Sequence, residues 1–380
     1  MQKYCYGKVH QTSCLKLNNY TMKNIFILLF TAAFFSCTPA AEQNAALPFI
    51  KGVYGNPGTL LEAGHSFDSL GMNAVFIRSI SLNREFYDKA REQGCLVFVE
   101  FPTLLGKNYL QDNPEAWPVN EKGERSPPAD WFMGICPTDP GFKEYRSGQL
   151  REILSEFDVD GIFLDYLHWH AQFETPDPIL PETCFCERCT DMFEKSAGLR
   201  LTHDDIAGKA GWILTNADTE WRRWRNGILN GWVNDMGDIV RDMRHDALLG
   251  VYYCSWYPDD HDSALYRTLG IDVNDLAEMA DVLSPMLFHK MKGRKPEWVG
   301  EYINWLDKLT GAGQTGKPLI WPIVQAHNNP EIVTPEEFRQ VMLEGSKPPS
   351  TGIMMFSDQS LLQDPEKLEV MKDLYFGILK

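Results

Sequence analysis

Eight short hydrophobic runs divide the chain and constrain its fold more than any other feature. Most of them are almost wholly apolar, as expected for strands that are covered on both faces. Segments long enough for a helix separate most of the runs, and this repeated alternation predicts a (β/α)₈ barrel. A doubly wound open sheet is the alternative, but no Gly-rich phosphate-binding turn follows the first run. The runs are 50–55, 74–78, 96–101, 160–166, 248–256, 281–289, 318–327 and 352–358.

Periodicity and start signals predict three of the intervening helices. One covers 142–157, after a turn at Pro140 and Gly141. The apolar positions of 221–243 advance by three or four residues and predict a long amphipathic helix. Thr334, followed by a proline and two glutamates, predicts the start of a third helix.

Two connections are unusually long, namely 102–138 after the third run and 167–216 after the fourth. Both follow the carboxyl end of a strand, where barrels build their binding sites. We therefore expect a single barrel domain over 48–380 with a shaped cleft, and we treat 171–216 as an inserted, cysteine-bearing segment.

Residues 1–47 read as a leader and tether rather than part of the fold. From Met22 a lysine is followed by the apolar run 25–35, which is shorter than the roughly 20 residues that span a bilayer and has the layout of a secretory signal. The run ends in FFSC and resembles a bacterial lipoprotein signal, although Phe34 stands where that motif more often has Leu. The resemblance implies an exported protein, lipid-anchored through Cys37 to a bacterial membrane at its periplasmic face or the cell surface. A plain cleaved signal with a coincidental cysteine is the alternative.

Composition excludes some classes of protein. The 380 residues are 44% hydrophobic and 12% aromatic, which suits one large folded domain. The formal net charge is −16, and no run of Lys or Arg forms a basic stripe. Because phosphate backbones would be repelled, we do not expect nucleic acid as a partner.

Three cysteines lie close together in a C-x-C-x₂-C pattern at Cys184, Cys186 and Cys189, and Cys136 in the preceding long connection is a candidate fourth ligand. Four thiolates suit a tetrahedral structural zinc site with no open position for catalysis. Two disulfides in an exported protein are the alternative, although Cys-x-Cys is poor disulfide geometry. Either arrangement would tie the two long connections together.

The cysteine-bearing stretch resembles that of glycoside hydrolase family 42 β-galactosidases over roughly residues 130–195. The matching letters are ICPTDPGFKEYR at 135–146 and CFCERC at 184–189. The resemblance implies a structural zinc held by one plus three cysteines. It does not extend to the mechanism, because that family has Asn-Glu directly after its strand-four Asp, whereas this chain has Tyr166 and Leu167.

Asp165 ends the apolar fourth run, where packing gives no reason for a carboxylate. Burying an unpaired carboxylate costs several kcal/mol, and the carboxyl end of a barrel strand faces the catalytic mouth. The letters DGIFLD at 160–165 resemble strand four of retaining α-glycosidases and of glycosyl hydrolase families of unassigned substrate. In the α-glycosidases the second Asp is the nucleophile, so the resemblance implies that role for Asp165.

A glycosidase needs a second carboxyl group to protonate the leaving oxygen. Glu100 interrupts an apolar run, Asp259 and Asp260 follow the fifth run, and Asp358 ends the eighth. Glu100 and Asp259 are nearly equal candidates, although the loop that carries Asp259 could equally be a solvated turn.

Polar and aromatic residues occupy the remaining strand ends. Sugars offer hydroxyl groups for hydrogen bonds and C–H faces for stacking on rings, so this mixture predicts substrate contacts. The two histidines after the fourth run fall on one strand face and could also bind a metal. The predicted substrate-binding residues are Tyr54, Arg78, His168, His170, Trp256, His289, Lys290, Gln325, His327 and Asp358.

These observations predict a glycoside hydrolase that acts on an oligosaccharide or polysaccharide outside the cytoplasm and needs no organic cofactor. Two alternatives remain open at this point. One is a non-catalytic carbohydrate-binding barrel lipoprotein, and the other is a metal-dependent barrel hydrolase or deacetylase that uses His168 and His170.

Overall fold

The eight hydrophobic runs form a closed parallel barrel in the computed structural model, which describes residues 47–312 and 317–377. Strands β1 to β6 pair in chain order, β8 joins β6 to β9, and β9 pairs with β1 to close the barrel. The predicted (β/α)₈ fold class is confirmed. The strands are β1 Ile50–Gly55, β2 Ala74–Arg78, β3 Leu96–Pro102, β4 Gly161–Asp165, β5 Leu248–Cys254, β6 Val282–Leu287, β7 Leu319–Ile320, β8 Ile323–Gln325 and β9 Gly352–Phe356.

The seventh run was predicted as one strand over 318–327, but it forms the two short strands β7 and β8. Pro322 lies between them, and proline has no amide hydrogen to donate to a ladder. Both pieces pair with β6, so together they fill the seventh position of the barrel.

Helices surround the barrel, and the three predicted ones are present with shifted ends as α4, α7 and α11. Thr334 caps α11 as expected, because its hydroxyl accepts a hydrogen bond from the amide of Glu337 at 3.2 Å. The helices are α1 Gly58–Glu62, α2 Arg84–Glu92, α3 Tyr109–Asp112, α4 Pro140–Glu156, α5 Glu187–Ala197, α6 Ile206–Asn216, α7 Asp218–Met243, α8 Ala264–Arg267, α9 Val273–Met279, α10 Trp298–Thr310, α11 Pro335–Gly345, α12 Asp358–Gln363 and α13 Pro365–Gly377.

Aromatic rings fill the interior of the barrel. Neighbouring ring centroids lie 4.9 to 5.5 Å apart, within the range of favourable aromatic contacts. All of these rings are almost completely buried. The interior is therefore a packed core and not a channel. We call this group the aromatic plug, and it comprises Phe76, Phe98, Phe163, Tyr252 and Trp321.

Glycines on neighbouring strands make room for the plug. A Cβ atom at Gly52 would lie 2.4 Å from the ring of Phe76, and one at Gly250 would lie 2.3 Å from the ring of Phe163. No side chain fits at such distances, so glycine at these positions allows large rings to occupy the centre of the barrel.

The two long connections pack against each other at the mouth of the barrel. The β3–α4 connection covers 103–139, and the β4–α7 connection covers 166–217. Asn120 bridges to Thr183 in an isolated antiparallel pair, and the amide of Phe185 donates to the carbonyl of Val119 at 2.9 Å. These contacts form a continuous wall beside the carboxyl ends of β3 and β4.

Residues from Leu47 onward form one compact unit. The leader, including the predicted lipidation residue Cys37, lies outside the described residues. None of the helices described is both long and apolar enough to cross a membrane.

Candidate active site

A pocket of about 570 Å³ opens at the carboxyl ends of the strands. Its size is that of a small-molecule binding site. Strands β1 to β4 contribute Tyr54, Arg78, Glu100 and Asp165, and the loops after β2, β3, β4, β6 and β8 contribute most of its walls. The lining residues are Tyr54, Arg78, Ser79, Ile80, Glu100, Pro102, Leu105, Trp131, Asp165, Tyr166, Glu174, Met286, Phe288, Met291, His327, Asn329 and Phe356.

Asp165 lies in this pocket as predicted and is only 4% exposed. Its Oδ2 accepts a hydrogen bond from the hydroxyl of Tyr54 at 2.8 Å, and its Oδ1 accepts one from the amide of Tyr166 at 2.7 Å. Both bonds favour the ionised carboxylate, as does the positive charge of Arg78. Burial outweighs them and raises the pKa of Asp165 to about 6.

Glu100 projects from β3 into the same pocket and is 3% exposed. In the strand register it lies beside Arg78 of β2. Burial, and then the negative charge of Asp165, raise the pKa of Glu100 to about 8, against the opposing effect of Arg78 and Arg146. A carboxyl group with this pKa is mostly protonated at neutral pH.

Glu174 is a third carboxyl group in the pocket, and the sequence analysis did not identify it. It is half-buried in the β4–α7 connection. Burial, and then the charge of Asp165, raise its pKa to about 7, while Lys292 and Arg78 act in the opposite direction. The only signal in the sequence was its position in a connection already predicted to build the cleft.

Three carboxyl groups thus lie in one pocket and have different pKa values. The pKa values of Asp165, Glu174 and Glu100 are raised to about 6, 7 and 8. At neutral pH the pocket therefore offers at least one carboxylate and at least one carboxylic acid. Pairs of carboxyl groups whose surroundings separate their pKa values are the usual basis of acid and base roles in glycoside hydrolysis.

Three of the ten predicted substrate-binding residues line the pocket, namely Tyr54, Arg78 and His327. The structure adds aromatic side chains that the sequence analysis did not select, among them Trp131 and Tyr166. The ring of Trp131 lies 5.9 Å from that of Tyr166 in an edge-to-face contact. Both rings belong to the long connections, where no periodic pattern marks a residue as facing the pocket.

Asp259, predicted as a catalytic carboxyl group, lies outside the pocket and is exposed to solvent. The neighbouring Asp260 forms an ion pair with Arg294 at 3.0 Å. The alternative of a solvated turn therefore describes this loop better. Trp256 is also outside the pocket, because its ring is buried beneath the amine of Lys292, 4.8 Å from the ring centroid.

His168 and His170 are buried and do not line the pocket, so the structure does not bring these two predicted residues to a substrate. The Nδ1 of His170 accepts a hydrogen bond from the amide of Gly134 at 3.2 Å, and its Nε2 lies 2.9 Å from the carbonyl oxygen of Pro127. Both ring nitrogens are thus occupied. The Nδ1 of His168 contacts the carbonyl of Trp169 at 2.8 Å, and burial lowers the pKa of His168 to about 4.

The remaining four predicted substrate-binding residues hold loops together instead of lining the pocket. His289 and Lys290 contact the carboxylate of Glu337 at 3.3 and 3.0 Å. The side chain of Gln325 bonds to backbone groups of two loops at 2.9 and 3.0 Å. Asp358 accepts hydrogen bonds from the amide of Asn56 at 2.9 Å and from the hydroxyl of Thr59 in α1 at 2.6 Å. A polar residue at a strand end can form hydrogen bonds with the backbone of a loop as readily as it can bind a ligand.

The four predicted ligand cysteines lie together in the structure. The Sγ atoms of Cys136, Cys184, Cys186 and Cys189 all lie within 4.8 Å of one another, and all four thiols are free. The Sγ of Cys136 lies 3.7 Å from that of Cys186 and 3.5 Å from that of Cys189. A tetrahedral site with metal–sulfur bonds of about 2.3 Å places sulfur atoms about 3.8 Å apart. The geometry fits a four-thiolate metal site and does not support the two-disulfide alternative.

Solved structures with a fold similar to that of this chain include glycoside hydrolases. No family model matches the chain, and no curated protein matches it. The glycoside hydrolase domain of PgaB (BpsB) from Bordetella bronchiseptica is 13% identical with a TM-score of 0.65, and the match covers 86% of this chain and 99% of that one. A β-galactosidase from the psychrophilic Marinomonas ef1 is 12% identical with a TM-score of 0.61, covering 86% of this chain.

A catalytic mutant of a GH42 β-galactosidase from G. stearothermophilus is 13% identical with a TM-score of 0.60, and the match covers 88% of this chain. This chain spans only 59% and 58% of the two β-galactosidase chains. At these identities the comparisons establish a shared barrel fold, which is the scaffold expected from the cysteine-bearing stretch.

Glu100→Gln should stabilise the protein increasingly as the pH rises. The pKa of Glu100 is raised in the folded state, so its favourable contribution to stability is present below the unfolded pKa and is lost as the pH rises through about 8. The neutral amide avoids this loss. Thermal unfolding between pH 5 and 9 should show a gain that grows to a few kcal/mol, by order of magnitude. Glu62→Gln, at an exposed position of α1, is the control with a flat difference. A stability gain for Glu100→Gln that does not change with pH would contradict the raised pKa of Glu100.

Proposed function

We propose that the protein is a glycoside hydrolase that cleaves an oligosaccharide or polysaccharide at the pocket formed by Asp165, Glu174 and Glu100. The observation that supports this most is the set of three carboxyl groups in one pocket, each with a raised pKa. Burying acids is costly, and a pocket that only binds sugars has no need for a carboxylate whose charge raises the pKa of two other carboxyl groups.

Asp165 is the nucleophile in this proposal. It has the lowest pKa of the three carboxyl groups and receives hydrogen bonds from the Tyr54 hydroxyl and the Tyr166 amide. These donors hold one carboxylate orientation at the end of β4, where an anomeric carbon would be attacked. Retention of configuration would follow from a covalent glycosyl intermediate at this carboxylate.

Glu174 is the proposed general acid. Its pKa of about 7 lies close to neutral pH, where a proton donor to the leaving oxygen is most effective. Its partial exposure gives it access to the bond that breaks, whereas Glu100 is almost fully buried. In this proposal Glu100 stays protonated beside Arg78 and is the second candidate for the acid.

The walls of the pocket suit a sugar ring. Trp131 and Phe288 offer apolar faces for C–H stacking, while Arg78, His327 and Asn329 offer hydrogen-bonding groups. A metal-dependent hydrolase finds less support, because His170 uses both ring nitrogens for backbone contacts. Within the described ranges, the cysteines are the one group of three or more His, Cys, Asp or Glu residues placed to hold an ion.

Asp165→Asn should abolish turnover and leave the fold intact, because the amide has nearly the same shape but cannot attack carbon. We expect kcat to fall by about 10³-fold or more, measured with 4-nitrophenyl glycosides of both anomers and with neutral polysaccharides by release of reducing ends. Glu62→Gln should retain wild-type rates. If the wild-type protein cleaves no member of either panel, the non-catalytic binding barrel becomes the better account.

The pH–rate profile should be bell-shaped around neutrality. Activity should rise as Asp165 ionises near pH 6 and fall as Glu174 loses its proton near pH 7. Glu174→Gln should remove the alkaline limb and lower kcat by about 10²- to 10⁴-fold. If Glu174→Gln keeps the alkaline limb and Glu100→Gln removes it, Glu100 is the acid instead.

We also propose that the cysteine group holds a structural zinc ion, with Cys136, Cys184, Cys186 and Cys189 as its four ligands. The donor set leaves no position for substrate, so the ion would supply stability and no catalytic chemistry. Its contribution would be to keep the β3–α4 and β4–α7 connections together, and these carry Trp131 and Glu174.

Purified protein should contain about one zinc per chain by elemental analysis. Cys186→Ser should lose the metal and lower the melting temperature, because the free energy of binding the ion is part of the free energy of folding. Cys95→Ala, which changes a buried free cysteine outside the group, should retain the metal. Metal-free protein with two disulfides would rule out the zinc site.

The leader supports a proposal about location, namely export and acylation of Cys37. Expressed in a bacterium, the wild-type chain should partition with membranes, and Cys37→Ser should appear in the soluble fraction. Mass spectrometry of the mature protein should find a lipid-modified cysteine at its N-terminus. An unmodified N-terminus at another residue would support a plain cleaved signal.

A further inference from the structure

A second cavity, of about 610 Å³, adjoins the catalytic pocket. The two share Ser79, Ile80, Pro102, Leu105 and Trp131, so these residues separate one space from the other. We call the second cavity the side groove. Besides the shared residues it is lined by side chains of the β3–α4 connection, among them Asn108 and Tyr109, and by one face of α4.

One face of α4 forms the long wall of the side groove. The lining positions recur every three or four residues from Tyr145 to Glu156. At about 1.5 Å per residue, this stretch is about 16 Å long. The helix begins at the mouth of the barrel, so the groove leads away from the catalytic pocket along the outside. It is long enough for more than one sugar ring.

Exposed apolar side chains mark the path between the two cavities. Ile80 is 91% exposed, and Trp131 and Tyr145 are each 46% exposed. Trp131 lies on the boundary, with its ring edge-to-face against Tyr166, whose amide donates to Asp165. A sugar stacked on Trp131 would therefore adjoin the unit bound at Asp165.

The polar groups of the side groove indicate which class of ligand it would take. Its charged lining residues are two cations, Lys107 and Arg146, and two carboxylates, Glu152 and Glu156. These charges balance, and Asn108, Gln149 and the two tyrosines add neutral hydrogen-bonding groups. Balanced charge with exposed rings and amides suits a neutral polyhydroxyl chain better than an anionic one.

We propose that the side groove binds further sugar residues of a neutral polysaccharide whose cleaved bond lies at Asp165. The proposal rests on the proposed function, because it assigns the remote units of the same substrate. It makes the protein an enzyme of long chains, with Trp131 and Tyr145 as stacking surfaces beyond the catalytic pocket.

Two measurements on the full chain test the side groove. The first is affinity electrophoresis of Asp165→Asn protein through gels that contain galactan, xylan, mixed-linkage β-glucan or soluble starch. The second is the ratio of turnover on the best of these polymers to turnover on the best 4-nitrophenyl glycoside. Both are repeated with Tyr145→Ala, Trp131→Ala and the control Phe376→Ala, which removes a ring exposed to a similar extent, 49%, on α13.

We expect at least one polymer to retard the Asp165→Asn protein. Tyr145→Ala and Trp131→Ala should each weaken that retardation about tenfold, the loss of one aromatic contact. Tyr145→Ala, which lies outside the catalytic pocket, should also lower the polymer-to-glycoside ratio by a similar factor. Phe376→Ala should change neither. Circular dichroism and melting temperature verify that the variants fold, and Tyr145→Phe should restore binding if the ring provides the contact.

Failure of this proposal can be distinguished from failure of the proposed function. Turnover of aryl glycosides with no polymer bound, or polymer binding unaffected by both groove variants, would overturn the side groove and leave the glycosidase assignment in place. Groove-dependent binding of a polymer with no turnover of any substrate would support the groove and contradict the glycosidase assignment.

Discussion

The aromatic plug is the constraint on which the candidate site depends. Its rings close the barrel interior and exclude water from beneath the mouth. Tyr54 connects the plug to the site, because its ring lies 4.9 Å from that of Tyr252 while its hydroxyl donates to Asp165. The same packing that stabilises the barrel thus desolvates Asp165 and Glu100, and desolvation is the largest cause of their raised pKa values.

The plug supports the pocket through Tyr54, and the two long connections supply part of the pocket walls. Trp131 comes from the β3–α4 connection, and Tyr166 and Glu174 come from the β4–α7 connection. Contacts with α7 and with each other hold these connections in place, among them the bond from Trp232 to the Pro137 carbonyl and the ion pair of Arg222 with Glu182. The cysteine group also joins the two connections, since it gathers one thiol from the first and three from the second. A structural ion there would support the pocket without taking part in the chemistry.

The sequence predicted the barrel and part of the site for the same physical reason. Strands covered on both faces must be apolar, so a charged residue such as Glu100 or Asp165 is conspicuous in them. That logic fails beyond the strand ends. Gln325 and Asp358 stand at strand ends like ligand-binding residues, yet their side chains form hydrogen bonds with the backbone of loops. Glu174 was missed because a loop has no period from which to infer the direction of its side chains. Position in a loop is set by tertiary contacts, which one sequence does not reveal.

The central claim is that burial raises the pKa of the three carboxyl groups in the pocket toward neutrality, and a carboxyl titration tests it most directly. Protein labelled with ¹³C at the side-chain carboxyl groups of Asp and Glu can be titrated by NMR from pH 3 to 9. The resonances of interest are assigned by their loss in Glu100→Gln, Asp165→Asn and Glu174→Gln. Our account predicts that all three titrate above their ordinary range, with Glu100 highest and Asp165 lowest of the three. Titration of all three carboxyl groups below pH 5 would contradict it.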